Sequence, residues 1–134
     1  RTKKRIHLFE CFYEIELSTK QIYELNKKYA GQHLIVGDSA EPRMISALFT
    51  EGLNIVPCTK GQGSITAGIS VMLDYDIIID AKSINLIKEF NNYSWIDKTN
   101  KSVPVDLWNH GIDACRYFIT KVLENPHHKK YYIN

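Results

Sequence analysis

The chain has 134 residues, a net charge of +2, 44% hydrophobic and 24% charged residues, the profile of one globular domain with a core of its own. So small a charge does not call for a polyanion partner, although a local basic face matters more than the total. Three widely spaced cysteines (Cys11, Cys58 and Cys115) make neither a disulfide framework nor a zinc pattern.

Cys58 and Cys115 lie in apolar surroundings and read as small core residues in a reducing compartment. No apolar run reaches membrane-spanning length and no signal peptide is visible, so no membrane is expected. The opening "RTKKRIHLFECFYEI" is already strand-like, which suggests an excised domain.

In chain order, "RIHLFECFYEIEL" alternates as a strand of about ten residues, with Ile6, Leu8 and Phe12 facing away from their neighbours. "STKQIYELNKKYAG" predicts a helix: Ser18 and Gln21 form a capping box, Ile22 and Leu25 line one face, and Gly31 ends it. "HLIVGD" is a short buried strand. A helix over "AEPRMISALFTEG" follows, with Ile45, Leu48 and Phe49 inward and Gly52 at its end, and then a strand, "LNIVPC".

"TKGQGS" is a glycine-rich loop into "SITAGISVMLDYD", a helix capped by Ser64. "DIIID" is a strand, Ser83 caps "SINLIKEFNNYSW", and "SWIDKTNKSVPVDL" reads as a hairpin or loop. The last helix, "LWNHGIDACRYFITKVLEN", carries Ile112, Cys115 and Ile119 on one stripe, and "PHHKKYYIN" is a frayed tail. Strands alternating with helices make an α/β domain with a partly parallel sheet.

Asp38 ends the strand "HLIVGD", and functional groups in open α/β sheets collect beyond the carboxyl ends of strands. The competing role is a helix cap, and Pro42 opposes it. With Asp38 as N-cap, Pro42 would be the fourth helical residue, where the first intrahelical bond needs an N–H that proline lacks. A cap at Ser39 or Glu41 puts Pro42 in the first turn, where nothing is lost. Asp38 is then either a functional carboxylate or a loop residue.

His110 and Asp113, three apart at the start of the last helix, can share a ligand. The alternative is that Asp113 favours the helix N-terminus and His110 lies at the surface. Two carboxylates and a histidine suit a hard divalent cation such as Mg²⁺ or Mn²⁺, with water and phosphate completing the shell. A two-metal site wants a third carboxylate. Its candidates (Glu10, Glu14, Glu16, Asp74, Asp76 and Asp80) are not placed by pattern.

"KGQGS" is not a Walker A loop. Lys60 and the backbone around Gly61 and Gly63 suit either a DNA phosphate at a helix N-terminus or a plain turn. "RTKKR", Lys27–Lys28 and "HHKK" read as solvated faces, and Tyr93, Trp95 and Trp108 as packing residues.

The ordered set "LIVGDSAEPRMI", "KGQGSITAGISVM", "IKEFNNYSW" and "NHGIDACRY" resembles the C-terminal nuclease domain of tailed-phage large terminase subunits, over about Lys3 to Leu123. The resemblance implies a ribonuclease H-like fold, a mixed β-sheet flanked by helices. It implies an Mg²⁺- or Mn²⁺-dependent endonuclease that cuts concatemeric double-stranded viral DNA during genome packaging. Its expected partners are that DNA, the terminase small subunit and the portal protein, in the host-cell cytoplasm.

By the same resemblance Asp38 and Asp113 are metal ligands, His110 lies at or near the metal, and Lys60, Gly61 and Gly63 belong to a loop that approaches DNA. The family's first metal aspartate sits on a strand preceding the one that opens this chain. Residues 1–124 are therefore expected to form the nuclease domain without that strand and its carboxylate, and residues 125–134 a tail. The motor ATPase is expected elsewhere. Two other functions fit the residues: a resolvase of ribonuclease H-like fold acting on branched DNA, and a non-catalytic module docking on DNA or portal.

Overall fold

A computed structural model describes residues 4–93 and 109–123. Its elements are β1 (Arg5–Leu8), α1 (Thr19–Ala30), β2 (Ile35–Gly37), α2 (Pro42–Thr50), β3 (Ile55–Pro57), α3 (Ser64–Leu73), β4 (Asp76–Ile79), α4 (Ile84–Asn92) and α5 (His110–Leu123). The α/β alternation read from the sequence is present. The segment "SWIDKTNKSVPVDL", Trp95, Trp108 and the tail 125–134 lie outside the described residues. Among the described residues no helix is long and apolar enough to cross a membrane.

Both described strand pairs are parallel. Ile35 lies opposite Ile55 and Gly37 opposite Pro57 in one pair, Arg5 opposite Asp76 and Leu8 opposite Ile79 in the other. Parallel neighbours need a crossover, and α2 supplies it between β2 and β3. Gly37 lets α2 sit close to β2, since a Cβ there would lie 3.2 Å from Ile45 Cγ1.

Local chemistry sets the helix starts. In α1 the Gln21 N–H donates to Ser18 Oγ (3.1 Å) and the Ser18 N–H to Gln21 Oε1 (2.8 Å), which completes the capping box. Gly31 closes the helix at φ +57°, with its N–H on the Lys27 carbonyl. Pro42 is the first residue of α2, with Glu41 at the cap position, so Asp38 does not cap this helix.

Four readings need correction. The opening strand has four residues, because the chain beyond Leu8 leaves the ladder to clamp α4. There the Glu10 N–H donates to Ser83 Oγ and Glu10 Oε1 accepts the Leu86 N–H, both at 2.8 Å. Ser83 thus holds the N-cap position of α4, but Glu10 provides the side-chain cap. Gly63, at φ +77°, precedes α3, and Ser64 is its first residue. A left-handed cap conformation suits glycine and would strain serine.

The fourth concerns Phe49. α2 packs through Met44, Ile45 and Leu48 onto Leu53 and Ile55, and Phe49 lies past the edge of that stripe, 66% exposed. α5 lies against α3, α4 and β2, burying Ile112 and Ile119 as read. Cys58 is buried and Cys115 half-buried. Burial pushes the Cys115 thiol up to about 11.

Leu48 is 2% exposed. Leu48→Ala is therefore expected to cost about 2–5 kcal/mol of stability, whereas Phe49→Ala stays within about 0.5 kcal/mol. Urea denaturation of the two neighbouring variants checks the pair.

Candidate functional site

Parallel pairing puts the carboxyl ends of β2 and β3 at one edge. Asp38 follows β2, and the loop after β3 brings Lys60 back to it. Lys60 Nζ lies 2.6 Å from Asp38 Oδ1, both side chains half-exposed. The same oxygen accepts the Ala40 N–H at 2.9 Å, so Asp38 also braces its own turn. Cys58 fastens this edge: its N–H continues the ladder onto the Gly37 carbonyl (2.8 Å) and its Sγ accepts the Ser39 N–H (3.3 Å).

α5 crosses the same edge. Asp113 Oδ1 accepts a hydrogen bond from Arg116 Nη2 at 3.2 Å, an i,i+3 ion pair. Arg116 is 5% exposed. Its stem passes over α3 at Gly68, where a Cβ would lie 2.6 Å from Arg116 Cγ. The guanidinium stacks on the Tyr117 ring at 4.8 Å, and Lys60 approaches that ring at 5.5 Å. Lys121 Nζ donates to Thr59 Oγ1 at 3.2 Å, a second tie from α5 to the Lys60 loop.

Asp38, Lys60, Tyr117, Arg116 and Asp113 thus form a connected charged cluster. The Lys60 hydrogen bond, then the Ala40 N–H, hold the Asp38 carboxyl below its ordinary 3.8, and the Arg116 charge contributes. Lys60 is raised in turn by Asp38. Burial, and then the Asp113 charge, raise the Tyr93 phenol at the end of α4.

His110 is the first, exposed residue of α5, with Asp113 one turn on. Gly61 and Gly63 face open space, and no side chain caps α3 behind them. The sequence-read residues therefore divide. Asp38, Lys60 and Asp113 enter one cluster, His110 stands at its helix start, and Lys60 turns to Asp38.

Among the described residues no three His, Cys, Asp or Glu side chains converge as a metal-binding group. The donor set still fits a hard divalent cation, which is commonly held by one or two carboxylates with water and substrate phosphate completing the shell. Asp38 and Asp113 each already hold a cationic side chain, Lys60 and Arg116, so a metal here would share or displace these partners.

Sequence reasoning missed Arg116, Tyr117 and Glu89. Arg116 was signalled by its place on the stripe Ile112–Arg116–Ile119, and Glu89 by its spacing from Leu86. A charged residue on a buried stripe needs a partner. Glu89 is 1% exposed and accepts the N–H groups of Gly111 and Ile112. Two first-turn amides of α5 are thereby occupied by Glu89, while Asp113 in that same turn accepts from Arg116.

Because Asp38 has a depressed folded pKa, its pair stabilises the protein fully above the ordinary 3.8 and ceases to as pH falls through the lower folded value. Half-exposure limits the effect to about 1 kcal/mol or less. Lys60→Met is expected to move the Asp38 carboxyl titration up toward the ordinary value, read by ¹³C carboxyl NMR.

The terminase RNase H-like domain family model matches residues 1–121. The crystal structure of the large terminase nuclease domain from bacteriophage SPP1, with bound Mn, superposes with a TM-score of 0.71. It is 35% identical in sequence, over 89% of this chain and 72% of that one. No curated protein matches. The ribonuclease H-like α/β architecture expected from the motifs holds, and the chain belongs to the terminase RNase H-like domain family.

Proposed function

We propose that this domain hydrolyses phosphodiester bonds of double-stranded viral DNA during genome packaging, with Mg²⁺ or Mn²⁺ held by Asp38 and Asp113 and assisted by His110. The observation that carries the reading is the gathering of Asp38 and Asp113 around one cationic cluster at the carboxyl edge of β2 and β3. Likeness to an Mn-bound large terminase nuclease domain supports it.

When bound, a divalent cation would let a water lose its proton more readily and so become the nucleophile, and would offset charge on the phosphate. The chain's own residues do the rest. Asp38 is ionised well below neutral pH and so offers its oxygens as acceptors without losing a proton first. Arg116 keeps the Asp113 carboxylate on the cluster side of α5.

Asp38 would help hold the cation, and Lys60, half-exposed beside it, would offer its ammonium to a DNA phosphate. The open backbone at Gly61 and Gly63 lets the phosphodiester chain come close to the start of α3. Such contacts read no sequence, so DNA affinity falls steeply with salt. The small terminase subunit and the portal are the proposed protein partners, in the host-cell cytoplasm. Residues 1–124 are the proposed nuclease unit and 125–134 its tail.

Plasmid nicking with Mn²⁺ tests the reading. Asp38→Ala and Asp113→Ala are each expected to lose on the order of 10²–10³-fold in rate, several kcal/mol of transition-state stabilisation. Normal cutting by Asp38→Ala, or by Asp113→Ala, refutes it.

A further inference from the structure

The first turn of α5 is held by a side chain from a different helix. The Asp113 N–H closes the first helical bond on the Asn109 carbonyl at 2.7 Å, so the amides just before it have no intrahelical acceptor. Glu89 of α4 takes two of them: Oε1 accepts the Gly111 N–H at 2.8 Å and the Ile112 N–H at 3.0 Å. Its other oxygen accepts the Tyr13 hydroxyl at 2.5 Å and lies 3.0 Å from the Gly111 nitrogen. The carboxylate is 1% exposed. With its oxygens engaged by these donors it is not available as a metal ligand.

The two gripped amides lie between His110 and Asp113. A carboxylate at this point of a helix meets the positive end of the dipole, and its hydrogen bonds are charge-assisted and short. Gly111 makes the seat possible. A Cβ there would lie 2.8 Å from Leu86 Cδ1 and 3.3 and 3.4 Å from the two Glu89 oxygens. Any side chain at that position would lift α5 off the carboxylate. The glycine of "NHGIDACRY" is therefore explained by the grip, as is the freedom of Asp113 to turn to Arg116 instead of capping its own helix.

We propose that Glu89 is a positioning residue for the nuclease site: by clamping the Gly111 and Ile112 amides it sets where the His110 imidazole and the Asp113 carboxylate stand relative to Asp38. The assignment rests on the metal-binding reading above and deepens it. Outer partners that orient metal ligands typically change affinity by about 10–100-fold when lost. Glu89 acts one step further back, through the backbone of the turn that carries both groups. Tyr13 keeps Glu89 in place, and its phenol is pushed up to about 12 by that hydrogen bond and by burial, so it remains a donor throughout the working pH range.

The test measures Mn²⁺ affinity without DNA, by the electron paramagnetic resonance signal of free Mn²⁺, alongside circular dichroism and thermal unfolding. Wild type is compared with Glu89→Gln, Tyr13→Phe, Asp113→Ala and Ile22→Val, the last a destabilised control in α1, which packs on the apolar core away from the charged cluster. Glu89→Gln is expected to stay folded and bind Mn²⁺ roughly 10-fold more weakly. Tyr13→Phe shifts affinity the same way by less, and serves as the deciding variant if Glu89→Gln does not fold. Ile22→Val lowers the unfolding temperature and leaves affinity unchanged.

Wild-type affinity in a folded Glu89→Gln, or in Tyr13→Phe when it is the deciding variant, overturns the proposal. So does an equal loss of affinity in Ile22→Val. If Asp113→Ala binds weakly while Glu89→Gln binds normally, the metal reading stands and only the role of Glu89 falls. Absence of Mn²⁺ binding by wild type removes both.

Discussion

Two short parallel strands can be joined only by a crossover, and the crossover leaves both carboxyl ends at the same edge. The β2–β3 pair is built on this constraint, and the candidate site follows from it. Gly37 opposite Pro57 sets the register, Asp38 emerges from one strand, and the Lys60 loop emerges from the other. Their 2.6 Å contact is a consequence of strand direction as much as of charge. Had the pair been antiparallel, the residues after β2 and β3 would leave from opposite ends.

The helices around this edge are held by carboxylates borrowed from other elements. Glu10, just beyond β1, caps α4 through the Leu86 N–H, and Glu89, within α4, caps α5 through Gly111 and Ile112. Each bond joins residues distant in sequence, so each fixes tertiary arrangement and satisfies a helix end together. Burying Glu89 costs several kcal/mol of lost hydration, offset by charge-assisted bonds at the positive end of a helix. The result is a relay from β1 through α4 to the turn that carries His110 and Asp113.

Charge in the cluster is balanced within the chain: Asp38 by Lys60, Asp113 by Arg116. The pairs differ in depth. Lys60 is half-exposed, whereas Arg116 is buried and packed against Gly68 and Tyr117. That difference leaves the Lys60 pair open to solvent and makes the Arg116 pair part of the packing between α3 and α5.

By itself the sequence determined whatever depends on neighbours along the chain. The Ser18–Gln21 capping box, the Gly31 stop and the Pro42 start of α2 were all legible, because caps and proline sterics act within one helical turn. Asp38 at a strand end and the His110–Asp113 spacing were legible for the same reason, and the ordered motifs named the family. Only the tertiary structure decided what these residues touch. It shortened β1, gave the capping of α4 to Glu10, left Phe49 outside the core, turned Lys60 onto Asp38, and drew Glu89 under α5. These contacts join segments whose approach is set by strand pairing and helix packing, and periodicity along a single element carries no record of its partners.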